Sequence, residues 1–262
     1  MSALDALKAR IYNGERILAD GAMGTELMKQ AVLKEGTVFA NLELPQIVQD
    51  IHKSYRTSGA EILTCNTFGT PPQHTSDMEL WKKGFVVGQD IALSYSELAW
   101  CSVYPELLLQ NSSLCHLIKT EILLIETCTS IKSACLATNT AKLNFINFVI
   151  VTCHFDANGK MLDGTTPEQA AKSLENVGAD IIGGNCGEAR TPWREIALKM
   201  RSESELPLCF QPGAGLPQKN TSIDDWAKIG KELFDVGAQI VGGCCGTTPK
   251  HIETLRNNIG KT

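Results

Sequence analysis

The chain has 262 residues, enough for one large domain or two small ones, and a (β/α)8 barrel of about 250 residues would use nearly all of it. A formal net charge of -5 without a clustered basic stripe argues against nucleic-acid binding. No apolar run approaches the roughly 18 residues of a membrane span, and the acidic start Met1-Ser2-Ala3-Leu4-Asp5 lacks the pattern of a secretory signal. The expected setting is therefore the cytoplasm, away from membranes, with the ten cysteines reduced.

In chain order, strands are expected at residues 16–20 and 61–65, then at 122–126, 148–152, 180–184, 207–211 and 239–243. Between the second and the next clear strand only residues 100–104 offer a candidate, and a poor one, so the third unit is the weakest part of the pattern. Three segments repeat a helix end, a Gly-Ala pair and an apolar run: Ser58-Gly59-Ala60-Glu61-Ile62-Leu63, Val177-Gly178-Ala179-Asp180-Ile181-Ile182 and Val236-Gly237-Ala238-Gln239-Ile240-Val241. Glycine suits a left-handed helix C-cap, and the apolar run suits a buried parallel strand. The glycines lie 119 and 59 residues apart, so if 59 residues hold two βα units, each spans about 30 residues.

Eight such units give an α/β fold, a (β/α)8 TIM barrel in one domain over 1–262, with a third βα unit expected to be irregular or shortened. A doubly wound open sheet is the rival. Thr166-Pro167-Glu168-Gln169 reads as a capping box at a helix start, and Thr191-Pro192 and Thr248-Pro249 as simpler Thr-Pro starts.

Cys186 follows the sixth strand and Cys244-Cys245 the eighth, each after Gly-Gly and before a glycine. All strand C-termini of a parallel barrel open on one face, so both segments deliver sulfur to one rim. Next-nearest strands lie about 10 Å apart, and the two loops can meet across the seventh. Three thiolates with an open fourth position make a catalytic zinc site. The alternative is that these cysteines pack as small apolar residues. Cys65, Cys128, Cys153 and Cys209 lack the glycine frame and read as structural. His251, in the first turn of a helix, is expected to serve the helix terminus or face solvent rather than hold a metal, and His154 to border the pocket.

Asp20-Gly21-Ala22-Met23-Gly24-Thr25, Asn66-Thr67-Phe68-Gly69, Ile125-Glu126-Thr127, Gly184-Asn185-Cys186 and Gly242-Gly243-Cys244-Cys245-Gly246-Thr247-Thr248-Pro249 occur in this order. In this the chain resembles the homocysteine S-methyltransferase family. That family includes the homocysteine module of cobalamin-dependent methionine synthase and betaine–homocysteine methyltransferase. The resemblance covers residues 10–70 and 120–255, and the Cys-Cys motif is its most specific part.

It implies Zn2+ on Cys186, Cys244 and Cys245. Asp20 and Glu126 would face the amino group of homocysteine, with backbone amides near Gly21 and Ala22 on its carboxylate. Methyl transfer to the thiol would give methionine, and the metal-activated thiol needs no protein general base. The donor would be a small molecule or a separate corrinoid protein. Two departures stand out: no Gly-Ser-Ile-Gly-Pro segment occurs in 70–120, and Pro212-Gly213-Ala214-Gly215 replaces the family's Pro-Asn-Ala-Gly. They keep open a related methyltransferase with another thiol, a selenol or a corrinoid-protein acceptor, or a catalytically impaired zinc-binding barrel.

Overall fold

The computed structural model describes residues 2–30, 36–71, 75–187, 190–215 and 221–260. Among the described residues eight parallel strands are seen: β1 (Ile17–Leu18), β2 (Leu63–Thr64), β3 (Ala99–Val103), β4 (Ile122–Cys128), β5 (Phe148–Cys153), β6 (Ile181–Cys186), β7 (Leu208–Pro212) and β8 (Ile240–Val241). Each pairs with its neighbours in sequence, and β1 pairs with β8. A single parallel bridge from Ala19 to Ile62 joins β1 to β2 and closes the ring. The open-sheet rival is thereby excluded, and the fold is the expected barrel.

The interior follows from the two-residue alternation of strands. Ile17, Ile62, Trp100, Ile122, Phe148, Ile181 and Ile240 belong to one buried apolar cluster with Leu124, Ile150 and Cys209. Leu4, Leu7 and Ile11 of the helix Ala3–Tyr12 join that cluster, so this helix plugs the N-terminal mouth. The intervening residues, such as Leu63, Val103, Leu123, Val149, Ile182, Phe210 and Val241, face outward into the layer shared with the surrounding helices.

Gly59, Gly178 and Gly237 take φ of 104°, 82° and 93°, the left-handed turns expected between helix and strand. Thr166 forms its capping box with Gln169. Thr248 has a reciprocal partner too, because its N–H donates to Nδ1 of His251 at 3.1 Å. His251 thus serves the helix terminus.

The third unit is short, as expected. β3 is followed by the helix Pro105–Gln110 and a 3-10 turn, Ser112–Leu117, whereas the helix before it, Thr75–Tyr95, has 21 residues. The strand itself is well formed: it pairs with β2 and β4 and is buried along its whole length.

Candidate metal and substrate site

Continuing the inward alternation toward the strand C-termini brings Thr64, Ser102, Glu126, Thr152, Asn185 and Gln211 to the upper interior of the barrel. The apolar fill ends there and a polar layer begins. Glu126 accepts a hydrogen bond from Ser102 Oγ and one of 2.7 Å from Asn185 Nδ2. Burial pushes its carboxyl up to about 7, although the bond from Ser102 works the other way. Burial likewise pushes Asp20 up to about 7. Asp20 turns toward β2, accepting from Thr64 Oγ1 at 2.6 Å and from Thr64 N–H at 2.8 Å.

The cysteine loops rest on this layer. The Sγ atoms of Cys186, Cys244 and Cys245 all lie within 4.8 Å of one another, and those of Cys244 and Cys245 are 4.0 Å apart. The loop after β7 laces the two segments together. Gly213 N–H donates to the Cys186 carbonyl at 2.7 Å, and Ala214 N–H to the Cys245 carbonyl at 2.8 Å. The cysteine loops therefore meet across the seventh strand, as the sequence spacing requires.

Cys186 has φ of 62°, left-handed for a residue with a side chain, and so turns sharply out of the strand. At Gly243 a Cβ would collide with Thr247, whose Oγ1 donates to the Cys244 carbonyl at 2.7 Å and accepts from Ala22 N–H at 3.1 Å. Gly243 N–H donates to the Asp20 carbonyl at 2.8 Å, which ties the Cys244–Cys245 loop to the end of β1.

The three thiols share their protons unequally. Hydrogen bonds from Cys186 and then Cys244 push Cys245 down to about 3. Cys244 is pushed up by its bonds to Cys186 and Cys245 and by burial. Four sulfurs around a tetrahedral zinc with Zn–S near 2.3 Å stand about 3.8 Å apart. The 4.0 Å Cys244–Cys245 spacing matches this closely. The donor set is all sulfur, which as thiolates would fit a borderline-soft ion.

A cavity of about 320 Å³ opens beside the cysteines, lined also by Gly21, Ala22, Met23, Phe68, Glu126 and Gln211. Gln211 is buried, and its Oε1 has no hydrogen-bond partner among the described residues. Phe68 is partly exposed and packs edge-on against Tyr104 with centroids 5.8 Å apart. His154 Nδ1 accepts from Gly187 N–H at 3.3 Å, behind Cys186. Cys65, Cys128, Cys153 and Cys209 are buried and unpaired.

Residues 17–100 and 109–259 match the model of the homocysteine S-methyltransferase family. The chain belongs to that family. The gap between the two matched stretches, residues 101–108, falls at the end of β3 and the start of the short helix after it.

Methionine synthase of Mycobacterium tuberculosis is 26% identical over 96% of this chain and 25% of that protein. The chain thus spans about a quarter of the length of the methionine synthases it matches. The S-methylmethionine–homocysteine S-methyltransferase BHMT2 of Rattus norvegicus is 23% identical over 95% of this chain and 80% of that protein. Among solved structures, the metallated form of the Escherichia coli homocysteine methyltransferase MmuM superposes with a TM-score of 0.78 at 18% identity, covering 96% of this chain and 99% of that one. Its apo form gives 0.75. These likenesses support the same barrel.

Site reading of the sequence brought out the cysteines, Glu126 and the Asp20–Ala22 segment. It missed Ser102, Thr64 and Gln211, and saw Asn185 only as part of a motif. The signal for all of these is one rule: they stand two or, for Asn185, four residues beyond an inward apolar residue of the same strand.

Proposed function

We propose that the chain is a zinc-dependent S-methyltransferase that methylates the thiol of homocysteine to give methionine, with residues 1–262 acting as one barrel domain. The observation that carries this reading is the meeting of three thiols from two loops beside a cavity that also holds a buried carboxyl. Cys186, Cys244 and Cys245 would hold the Zn2+. An ion bound there supplies Lewis-acid stabilisation that keeps a substrate thiol ionised at neutral pH.

The protein's own side chains do the rest. Glu126, with Asp20 behind it, offers counter-charge to the substrate ammonium. Burial alone favours the protonated acid, and an arriving ammonium would restore the ionised form. Gly21 and the first amides of the helix Met23–Gln30, which have no partner within the helix, receive the substrate carboxylate. The Ala22 amide takes a lesser share, being engaged with Thr247.

The substrate thiol loses its proton to solvent. Its sulfur then forms a bond to the methyl carbon while the carbon–donor bond breaks and that electron pair leaves with the donor. No side chain acts as general base. The donor is a small methylated molecule or a separate corrinoid protein, entering past Met23 and Phe68. A reducing, cytoplasmic setting belongs to the proposal, supported by ten cysteines that remain unpaired.

Elemental analysis with a methionine-forming assay tests the reading, using S-methylmethionine, betaine, S-adenosylmethionine and a methylated corrinoid as donors. One zinc per chain and methionine from at least one donor are expected. Zinc without turnover of any thiol would favour the impaired barrel, and turnover of other thiols or selenols alone would reassign the acceptor.

A further inference from the structure

Asn185 is wholly buried, next to the end of β6, and every hydrogen-bonding position of its amide is used. Its Oδ1 accepts from Thr127 N–H at 2.8 Å and from Thr152 Oγ1 at 3.0 Å. Its Nδ2 lies 2.7 Å from Glu126 Oε2, 2.9 Å from Thr127 Oγ1 and 3.9 Å from Cys244 Sγ. An amide has two N–H groups and two lone pairs, so two acceptor sites are filled while two protons face three acceptors.

The contacts fall where the backbone is least relaxed. Thr127 has φ of 57°, an outlier for a β-branched residue, and the β4–β5 register shifts between Ile125 and Cys128. Such a bulge re-aims the side chain beside it, here Glu126. Asn185 clamps both the peptide and the hydroxyl of Thr127, and the next residue in its own chain is Cys186.

From this geometry we infer that Asn185 is a positioning residue that couples recognition of the substrate ammonium to the metal loop. Its side chain aims Glu126 while its backbone launches Cys186. The inference rests on reading Glu126 as the partner of the ammonium. A residue of this kind differs from a buried scaffold amide in a measurable way. Its loss should penalise only ligands that carry the amino group.

The test is binding rather than turnover, so it needs no methyl donor. Cobalt-loaded wild type, Asn185→Ala and the isosteric Asn185→Asp are titrated with homocysteine and with 4-mercaptobutanoate, the same thiol acid without the amino group. Visible absorption is the readout. Metal content per chain and thermal melting confirm that each variant is folded and loaded.

Wild type is expected to prefer homocysteine. Both variants should weaken homocysteine roughly 10–100-fold, the range for one charge-assisted contact, and leave the amine-free thiol within about threefold. Glu126→Gln should then add less than about threefold in the Asn185→Ala background. Equal losses for both thiols, or effects of the two substitutions that simply multiply, would overturn the coupling. A wild type that shows no preference for the amine would instead sink the reading of Glu126.

Discussion

The lower and upper halves of the barrel interior are built by the same strands on the same inward face, yet they carry opposite chemistry. Below, Ile62, Trp100, Ile122, Phe148 and Ile181 pack with the plug helix into an apolar core. Two to four residues further along those strands stand Thr64, Ser102, Glu126, Thr152 and Asn185, bound to one another and to the end of the first strand. At about 3.3 Å per residue, roughly 7–13 Å separates a layer that holds the fold from one that holds charge. The difference teaches where this chain separates its tasks: the bottom of the barrel supplies stability and the top supplies the site, the division expected of the fold.

The comparison breaks most sharply through a pair of substitutions. Cys244→Ala should remove bound metal and abolish turnover while barely moving the melting temperature of the metal-free protein. Leu124→Ala, fully buried in the lower layer, should cost about 2–5 kcal/mol of stability and leave activity per folded molecule unchanged. Denaturant melts with metal analysis check both, and a crossed result would dissolve the division.

Glu126→Gln comes next in size. If Glu126 faces the ammonium as proposed, the change should raise KM for homocysteine roughly 10–100-fold with little change in kcat. Steady-state kinetics at saturating donor measure it, and a loss confined to kcat would contradict the role.

A smaller effect sharpens the contrast through pH. Asp20 and Glu126 both have folded pKa values of about 7, above those of an unfolded chain. The folded state therefore binds more protons in that window. Their stabilising contribution is complete below the unfolded values and is lost as pH rises through 7. The melting temperature of metal-free protein should fall by several degrees between pH 5.5 and 8. The slope should flatten in Asp20→Asn and Glu126→Gln but persist in Leu124→Ala.

The division also explains what could be read beforehand. β2, β6 and β8 announce themselves as apolar runs after Gly-Ala turns, β4, β5 and β7 as apolar runs alone, and the cysteine frames mark the two strands that end at the thiol cluster. β3 does not, because it is buried on both faces and shows no alternation, and because its Trp100 is satisfied only in three dimensions, through Nε1 to Thr64 Oγ1 at 2.7 Å. The first, second and eighth strands shrink to two paired residues each, since closure runs through the Ala19–Ile62 bridge and single hydrogen bonds rather than full ladders. Asn185 stands in the sequence only as the middle of Gly184-Asn185-Cys186, because a buried amide reveals its partners, 33 to 59 residues away, only in the fold. His251 is expected near the helix terminus, but its capping box with Thr248 is not legible for a local reason: imidazole stands where such a box usually has Glu or Gln.

The central claim is that three thiolates from two loops hold one zinc and leave room for a fourth sulfur. Zinc-edge X-ray absorption on the loaded protein, before and after adding homocysteine, tests it most directly. Three sulfur neighbours at about 2.3 Å are expected without substrate and four with it. Fewer than three sulfurs, or a first shell that homocysteine leaves unchanged, would contradict it.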